Sequence, residues 1–122
     1  MRLKMTFGSV SVFADLKDTP TAKKIEESLP FQSSAMTWGD EVYFTVPVRA
    51  PLEPDARQVV DPGTVCFWTH GNALALPFGP TPISQGNECR LADRCNILGK
   101  LDGDPGVLKQ VRSRDAVRVE KA

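Results

Sequence analysis

The chain has 122 residues, and its 15 Lys+Arg balance its 15 Asp+Glu to a formal net charge of zero. That length is about one domain, in the range of roughly 100–150 residues, and 41% hydrophobic with 25% charged residues suits a soluble chain with its own core. The balanced charge excludes the strongly basic face of a nucleic-acid binder, so no nucleic-acid partner is expected. Three cysteines cannot close a disulfide framework, which points to a reducing, cytoplasmic compartment. The N-terminal apolar run is broken by Arg2, Lys4, Thr6, Gly8, Ser9 and Ser11, so no signal peptide is expected. No stretch reaches the roughly 18 apolar residues of a membrane span, so no membrane partner is expected. With no repeat and no low-complexity linker, residues 1–122 read as one domain.

Met1, Leu3, Met5 and Phe7 alternate with Arg2, Lys4 and Thr6, the period of a half-buried strand. Gly8-Ser9 suits a two-residue type II′ turn, because Gly accepts the positive φ. Val10, Val12 and Ala14 return at period two, so residues 1–15 are expected as a hairpin. Thr19-Pro20 pairs an N-cap with a proline whose missing N–H costs nothing at the first helical position. Ala22, Ile25 and Leu29 share one helical face, and Leu29-Pro30 ends the helix. Alternation resumes over 41–47, with Val42, Phe44 and Val46 opposite Glu41, Tyr43 and Thr45. Residues 51–63, with Pro51, Pro54, Pro62 and Gly63, read as loop.

Val65 to Thr69 reads as a buried strand, His70-Gly71-Asn72 as a turn, and residues 73–76 as the return strand. Phe78-Gly79-Pro80-Thr81-Pro82 is expected as a shaped, rigid loop, since its prolines lack ladder donors. Residues 84–95 read as polar loop and Asn96–Leu101 as a strand. Asp104-Pro105 caps a second short helix that turns Val107, Leu108 and Val111 inward, and Val117 and Val119 close the chain as a last strand. Strands joined by turns rather than helical crossovers argue against a doubly wound parallel sheet. The fold class is mainly β: a closed or nearly closed antiparallel barrel of about eight strands with two short helices over its ends, which removes exposed edges.

The chain has no Walker-type phosphate loop, no Gly-x-Gly-x-x-Gly, no Gly-x-Ser-x-Gly and no Cys-x-x-Cys, and no cofactor is implied. Cys66 and His70 stand roughly 13 Å apart along an extended strand, whereas zinc ligands converge within about 2.0–2.3 Å of one ion. No metal site is therefore expected from Cys66, His70, Cys89 and Cys95. Carboxylates such as Asp40-Glu41 fall at strand ends and in loops, where they solvate turns. Arg112, Arg114, Arg118 and Lys121 alternate with Asp115 and Glu120 as a solvated face. The aromatics carry more information. Tyr43 and Phe44 point to opposite faces of one strand, as do Phe67 and Trp68 of another, so one of each pair lies outside the core. With Trp38 and Phe78 in adjoining loops, these residues suggest an apolar groove rimmed by polar loop groups.

Thr37-Trp38-Gly39-Asp40-Glu41-Val42-Tyr43-Phe44, the run from Gly71 to Ser84, and Asn96-Ile97-Leu98-Gly99-Lys100-Leu101 together resemble the small stand-alone prokaryotic cyclophilin-like domains, most of which have no assigned activity. The resemblance covers nearly the whole chain and implies a closed antiparallel barrel with a helix over each end. True cyclophilins are prolyl cis–trans isomerases that use a core-strand Arg followed by Phe-x-x-Gln-Gly-Gly. Here the segment after the first helix runs Phe31-Gln32-Ser33-Ser34-Ala35-Met36, with no Arg before Arg49. Without an oriented cation on the prolyl amide, most stabilisation of that transition state is lost.

The leading expectation is a domain that binds a peptide segment or small apolar ligand through Trp38, Tyr43, Phe78, Thr81, Pro82 and Ser84. Their rings would pack the ligand, while the hydroxyls of Thr81 and Ser84 would bond it. An alternative is a divergent prolyl isomerase in which Arg49 or Arg90 supplies the cation. A third is an oligomeric interaction subunit that buries an outward Trp68 or Tyr43 between chains, its oligomeric state being open.

Overall fold

A computed structural model describes residues 1–122 as ten strands, one α-helix and one 3₁₀ helix. The first hairpin is β1 (Arg2–Phe7) and β2 (Val10–Leu16), with Gly8 alone taking positive φ in its turn, as a type II′ geometry requires. Helix α1 (Pro20–Ser28) starts where Thr19 accepts a 3.1 Å bond from the Ala22 N–H. Then come β3 (Phe31–Ser34), β4 (Met36–Thr37), β5 (Glu41–Thr45), β6 (Arg57–Val60), β7 (Thr64–Trp68) and β8 (Ala73–Pro77). The long β9 (Cys89–Leu101) leads to a 3₁₀ helix over Pro105–Gln110, capped by Asp104 on the Gly106 N–H, and to β10 (Ala116–Lys121).

All recorded pairings are antiparallel, and nine strands follow one path, β3-β10-β1-β2-β9-β7-β8-β5-β4, with β6 added to β9. The barrel path thus has nine strands rather than the eight or so expected. The two ends of the path, β3 and β4, flank the single residue Ala35. Its N–H donates to Asp115 O at 2.8 Å and its carbonyl accepts from Arg114 N at 2.7 Å. One bent segment thus pairs β10 with its first half and β5 with its second, which leaves the barrel nearly closed.

Strand alternation divides the apolar residues into two cores. Leu3, Met5, Phe7, Val42, Phe44, Val65, Phe67, Leu74, Leu76 and Leu98 point into the barrel, where Phe7 and Phe44 meet edge to face at 5.7 Å. Ile25 of α1 and Leu108 of the 3₁₀ helix add to this core from their helices. The alternate residues Cys66, Ala75 and Ile97 point outward, and a second apolar cluster with Val60, Cys89, Leu91 and Cys95 covers them. The cover is β6 paired with the first half of β9, laid over the outer wall of β7 and β8. No helix is long and apolar enough to cross a membrane.

This cover corrects two expectations. Residues 51–63 contain β6, and residues 84–95 contain the first half of β9. Only one face of this ribbon is buried, and the residues between its apolar positions are Arg90, Ala92, Asp93 and Arg94. A register shift between Arg57 and Val59 further breaks the period-two signal. Asn96, fully buried where β9 enters the wall, holds the elements together. It donates to Thr21 Oγ1 at 3.0 Å and Pro51 O at 2.9 Å, and accepts from Glu53 N at 2.7 Å.

Three residues on, β9 crosses β2 so closely that a Cβ on Gly99 would lie 2.0 Å from Asp15 O and 2.9 Å from Leu16 Cα. Those are backbone atoms of a paired strand, which have no room to withdraw. Gly99→Ala is therefore expected to cost about 3 kcal/mol or more, read as a lower urea midpoint with unchanged slope.

Candidate ligand-binding site

Between the barrel wall and its outer cover lies a pocket of about 280 Å³. Strand β5 contributes Glu41 and Tyr43 to it, β7 Trp68, β8 Ala75, and β9 Leu91, Ala92 and Cys95, while Trp38 reaches in from the β4–β5 turn. The wall residues are there because they alternate with core residues: Glu41 and Tyr43 with Val42 and Phe44, Trp68 with Phe67. Both tryptophans of the chain line this one pocket.

Two glycines hold the indoles. Gly39, at φ +57°, has Pro82 Cδ at 2.9 Å and Pro80 O at 3.0 Å from where its Cβ would stand. The Pro80–Pro82 loop thus rests on the turn bearing Trp38, and Asp40 N to Pro80 O (2.9 Å) and Phe78 N to Asp40 O (2.8 Å) tie the two. At Gly71 a Cβ would fall 2.3 Å from Trp68 Cε3, so the indole lies against a backbone that only glycine leaves bare.

The pocket has one acidic group. Glu41 is 5% exposed, its Oε1 is buried without a hydrogen-bond partner, and so is Trp68 Nε1. Burial pushes the Glu41 carboxyl up to about 7. Glu41 was expected to solvate a strand end; the cover formed by β9 takes it out of water instead. The three thiols of the outer core are free, and burial raises all of them, Cys95 to about 12. They stay protonated at neutral pH and act as small apolar groups rather than nucleophiles. No group of three or more His, Cys, Asp or Glu side chains is placed to hold a metal ion.

Of the residues singled out in the sequence, Trp38 and Tyr43 meet in the pocket, and Phe78, Thr81, Pro82 and Ser84 lie outside its lining. Phe78 packs on the barrel core. Thr81 Oγ1 donates to Arg90 O at 2.5 Å, and Ser84 Oγ accepts from Thr81 N at 2.8 Å and Arg90 N at 3.2 Å, so both hydroxyls tie the loop to the start of β9. Arg90 pairs with Glu88 at 2.6 Å. Arg49 borders a shallow, open concavity with Lys24 and Thr69, and neither arginine lines the pocket. Glu41 and Leu91 were missed as site residues. Glu41's signal was its shared face with Tyr43; Leu91's was its place in an unrecognised strand.

A nearly closed antiparallel barrel with a pocket on its outer wall is the class of molecule this geometry defines. A family model described as cyclophilin-like matches residues 1–120. The solution structure of the hypothetical protein AF2241 from Archaeoglobus fulgidus superposes with a TM-score of 0.85 at 37% identity, covering 100% of this chain and 95% of that one. The chain belongs to the cyclophilin-like family. No curated protein matches it.

Glu41 also makes stability depend on pH. The folded carboxyl sits at about 7 against an ordinary 4.5, so the folded state holds the proton more tightly than the unfolded chain. Its stability contribution is intact below the ordinary value, declines as pH rises through this window, and is gone above the folded value. Glu41→Gln removes the titration. The stability difference between variant and wild type should move in the variant's favour by about 3 kcal/mol between about pH 4 and pH 8, followed by urea unfolding across pH.

Proposed function

We propose that this cyclophilin-like protein binds a small apolar ligand, or one apolar side chain of a peptide, in the pocket walled by Trp38, Tyr43 and Trp68. The observation that carries this reading is a concavity of about 280 Å³ in which seven of eight lining residues are hydrophobic. That volume lies near the lower end of ligand pockets, roughly 300–1,000 Å³, and suits a ring or a branched alkyl group better than an extended peptide. Aromatic rings supply large contact areas while losing few rotatable bonds on binding. The three free, buried thiols fit a reducing compartment, which supports a cytoplasmic setting.

The loop residues Phe78, Thr81, Pro82 and Ser84 enter this reading as supports. They hold the Trp38 turn and the start of β9 against each other, and their hydroxyls are already bonded. The ligand therefore meets rings and alkyl groups first.

Because both tryptophans of the chain line the pocket, their two indole N–H resonances serve as reporters of it. Benzyl alcohol and N-acetylphenylalanine amide, standing for a free ligand and a peptide side chain, should each shift both resonances saturably at millimolar concentration. Trp38→Ala should abolish the shift of Trp68 while the folded spectrum survives, since Trp38 is only half-buried. Unfolding of Trp38→Ala, together with no saturable shift in the wild type, would make the ring a structural plug and end the ligand reading.

A further inference from the structure

Five polar residues are buried in this protein: Thr21, Glu41, Thr64, Thr81 and Asn96. Four have bonded side chains: Thr21 to Glu53, Thr64 to Asp61, Thr81 to Arg90, and Asn96 to Thr21 and Pro51. Glu41 is the exception. The side-chain atoms buried with no partner are its Oε1 and the Trp68 Nε1, and both residues belong to the wall of the same pocket. Buried polar groups are ordinarily paired, and a buried carboxylate without a partner is the most costly kind. A ligand that brings a positive charge beside the carboxylate offsets the cost of burying it.

The surrounding chemistry narrows the choice. Two indoles, a phenol ring and a carboxylate attract a cation through the ring quadrupoles and the counter-charge together. A metal ion is disfavoured, because one carboxylate among protonated thiols offers too few ligand atoms. A primary ammonium brings three N–H donors, and Glu41 is the only acidic side chain in the wall. Alkyl groups on the nitrogen remove that demand and suit the remaining lining of Ala75, Leu91 and Ala92. We infer that the pocket receives a small alkylated organic ammonium, its charge beside Glu41 and the rings of Trp38, Tyr43 and Trp68. This rests on the ligand-binding reading above and assigns the class of ligand.

Affinity for a permanent cation then follows the ionisation of Glu41. It is greatest when the carboxyl is charged and falls as pH drops through its titration. The other titratable groups around Glu41 are Tyr43 on its own strand, Cys66 on β7, and Cys89 and Cys95 on β9. The thiols are raised by burial and stay neutral across this range. Behind them, Arg57 acts on Cys66, Asp93 on Cys95, and Asp40 and Asp61 on Cys89. The exposed His70–Asp93 pair, at 2.9 Å, lies outside the lining, and its influence is removed by comparison with Glu41→Gln.

Choline and its uncharged isostere 3,3-dimethylbutan-1-ol are the probes, followed by the indole N–H shifts and by calorimetry. At about pH 8 choline should bind at least about tenfold tighter than the isostere, and this preference should vanish in Glu41→Gln and shrink toward about pH 5. If the isostere binds as well as choline, or the preference persists in Glu41→Gln, the cation inference falls while the pocket reading stands. If neither probe nor benzyl alcohol moves the indoles of the folded wild type, both fall together.

Discussion

The close crossing of β9 over β2 at Gly99 is the constraint on which the architecture depends. Strand β9 has 13 residues, more than a barrel wall of this size uses. Its last residues pair with β2 and β7, and its first seven lie outside the barrel against β6. The crossing brings two backbones within the space a methyl group needs, so the strand lies flush against β2 once it has entered the wall. Asn96 fixes the point of entry with bonds to α1 and to the 51–53 segment. Were β9 to end at the wall, Cys66, Ala75 and Ile97 would face water and no pocket would exist between wall and cover.

This division of one strand between two layers explains which parts of the molecule were legible in the sequence. The first hairpin, the Thr19-Pro20 helix start, the 41–47 alternation and the Asp104 cap are all local signals, and each was read from a few adjacent residues. The outer layer depends on non-local burial of a single face. Cys89, Leu91 and Cys95 are apolar positions among arginines and an aspartate, and such a pattern has meaning only once the wall beneath it is known. The candidate site inherited the same limit. Trp38 and Tyr43 were found because aromatic residues in a loop and on an outward strand face are conspicuous. Glu41 looked like a solvated strand end because its cover was read as loop. Thr81 and Ser84 were expected to offer free hydroxyls, yet the adjacent Arg90 backbone uses them.

The barrel interior leaves no room for a ligand, and this shapes where function can lie. Phe7, Phe44, Phe67 and their aliphatic neighbours fill it to nearly complete burial, as small barrels commonly are filled. The working surface must therefore be built on the outside, from residues that alternate with the core. Each pocket residue on β5 and β7 has a core residue as its chain neighbour, so the rigidity of the core is transmitted to the site through one peptide bond. The same alternation means that a one-residue register slip would exchange Tyr43 for Phe44 and destroy core and pocket together.

Glu41 is the place where the fold carries a cost that the inferred cation would offset. An apolar residue there would extend the outer core without the ionisation cost that rises above neutral pH. The protein instead keeps a carboxyl whose one oxygen is buried without a partner, in a cluster of thiols that cannot neutralise it. Membership of the cyclophilin-like family accounts for the barrel and leaves this residue unexplained, since a fold supports many functions and a site must be argued from its own groups. The inferred cation would supply the missing account. A buried, poorly solvated carboxylate attracts a cation more strongly than an exposed one does, because its field is less screened. The buried position that weakens the fold at neutral pH would thereby strengthen the attraction for the inferred cation.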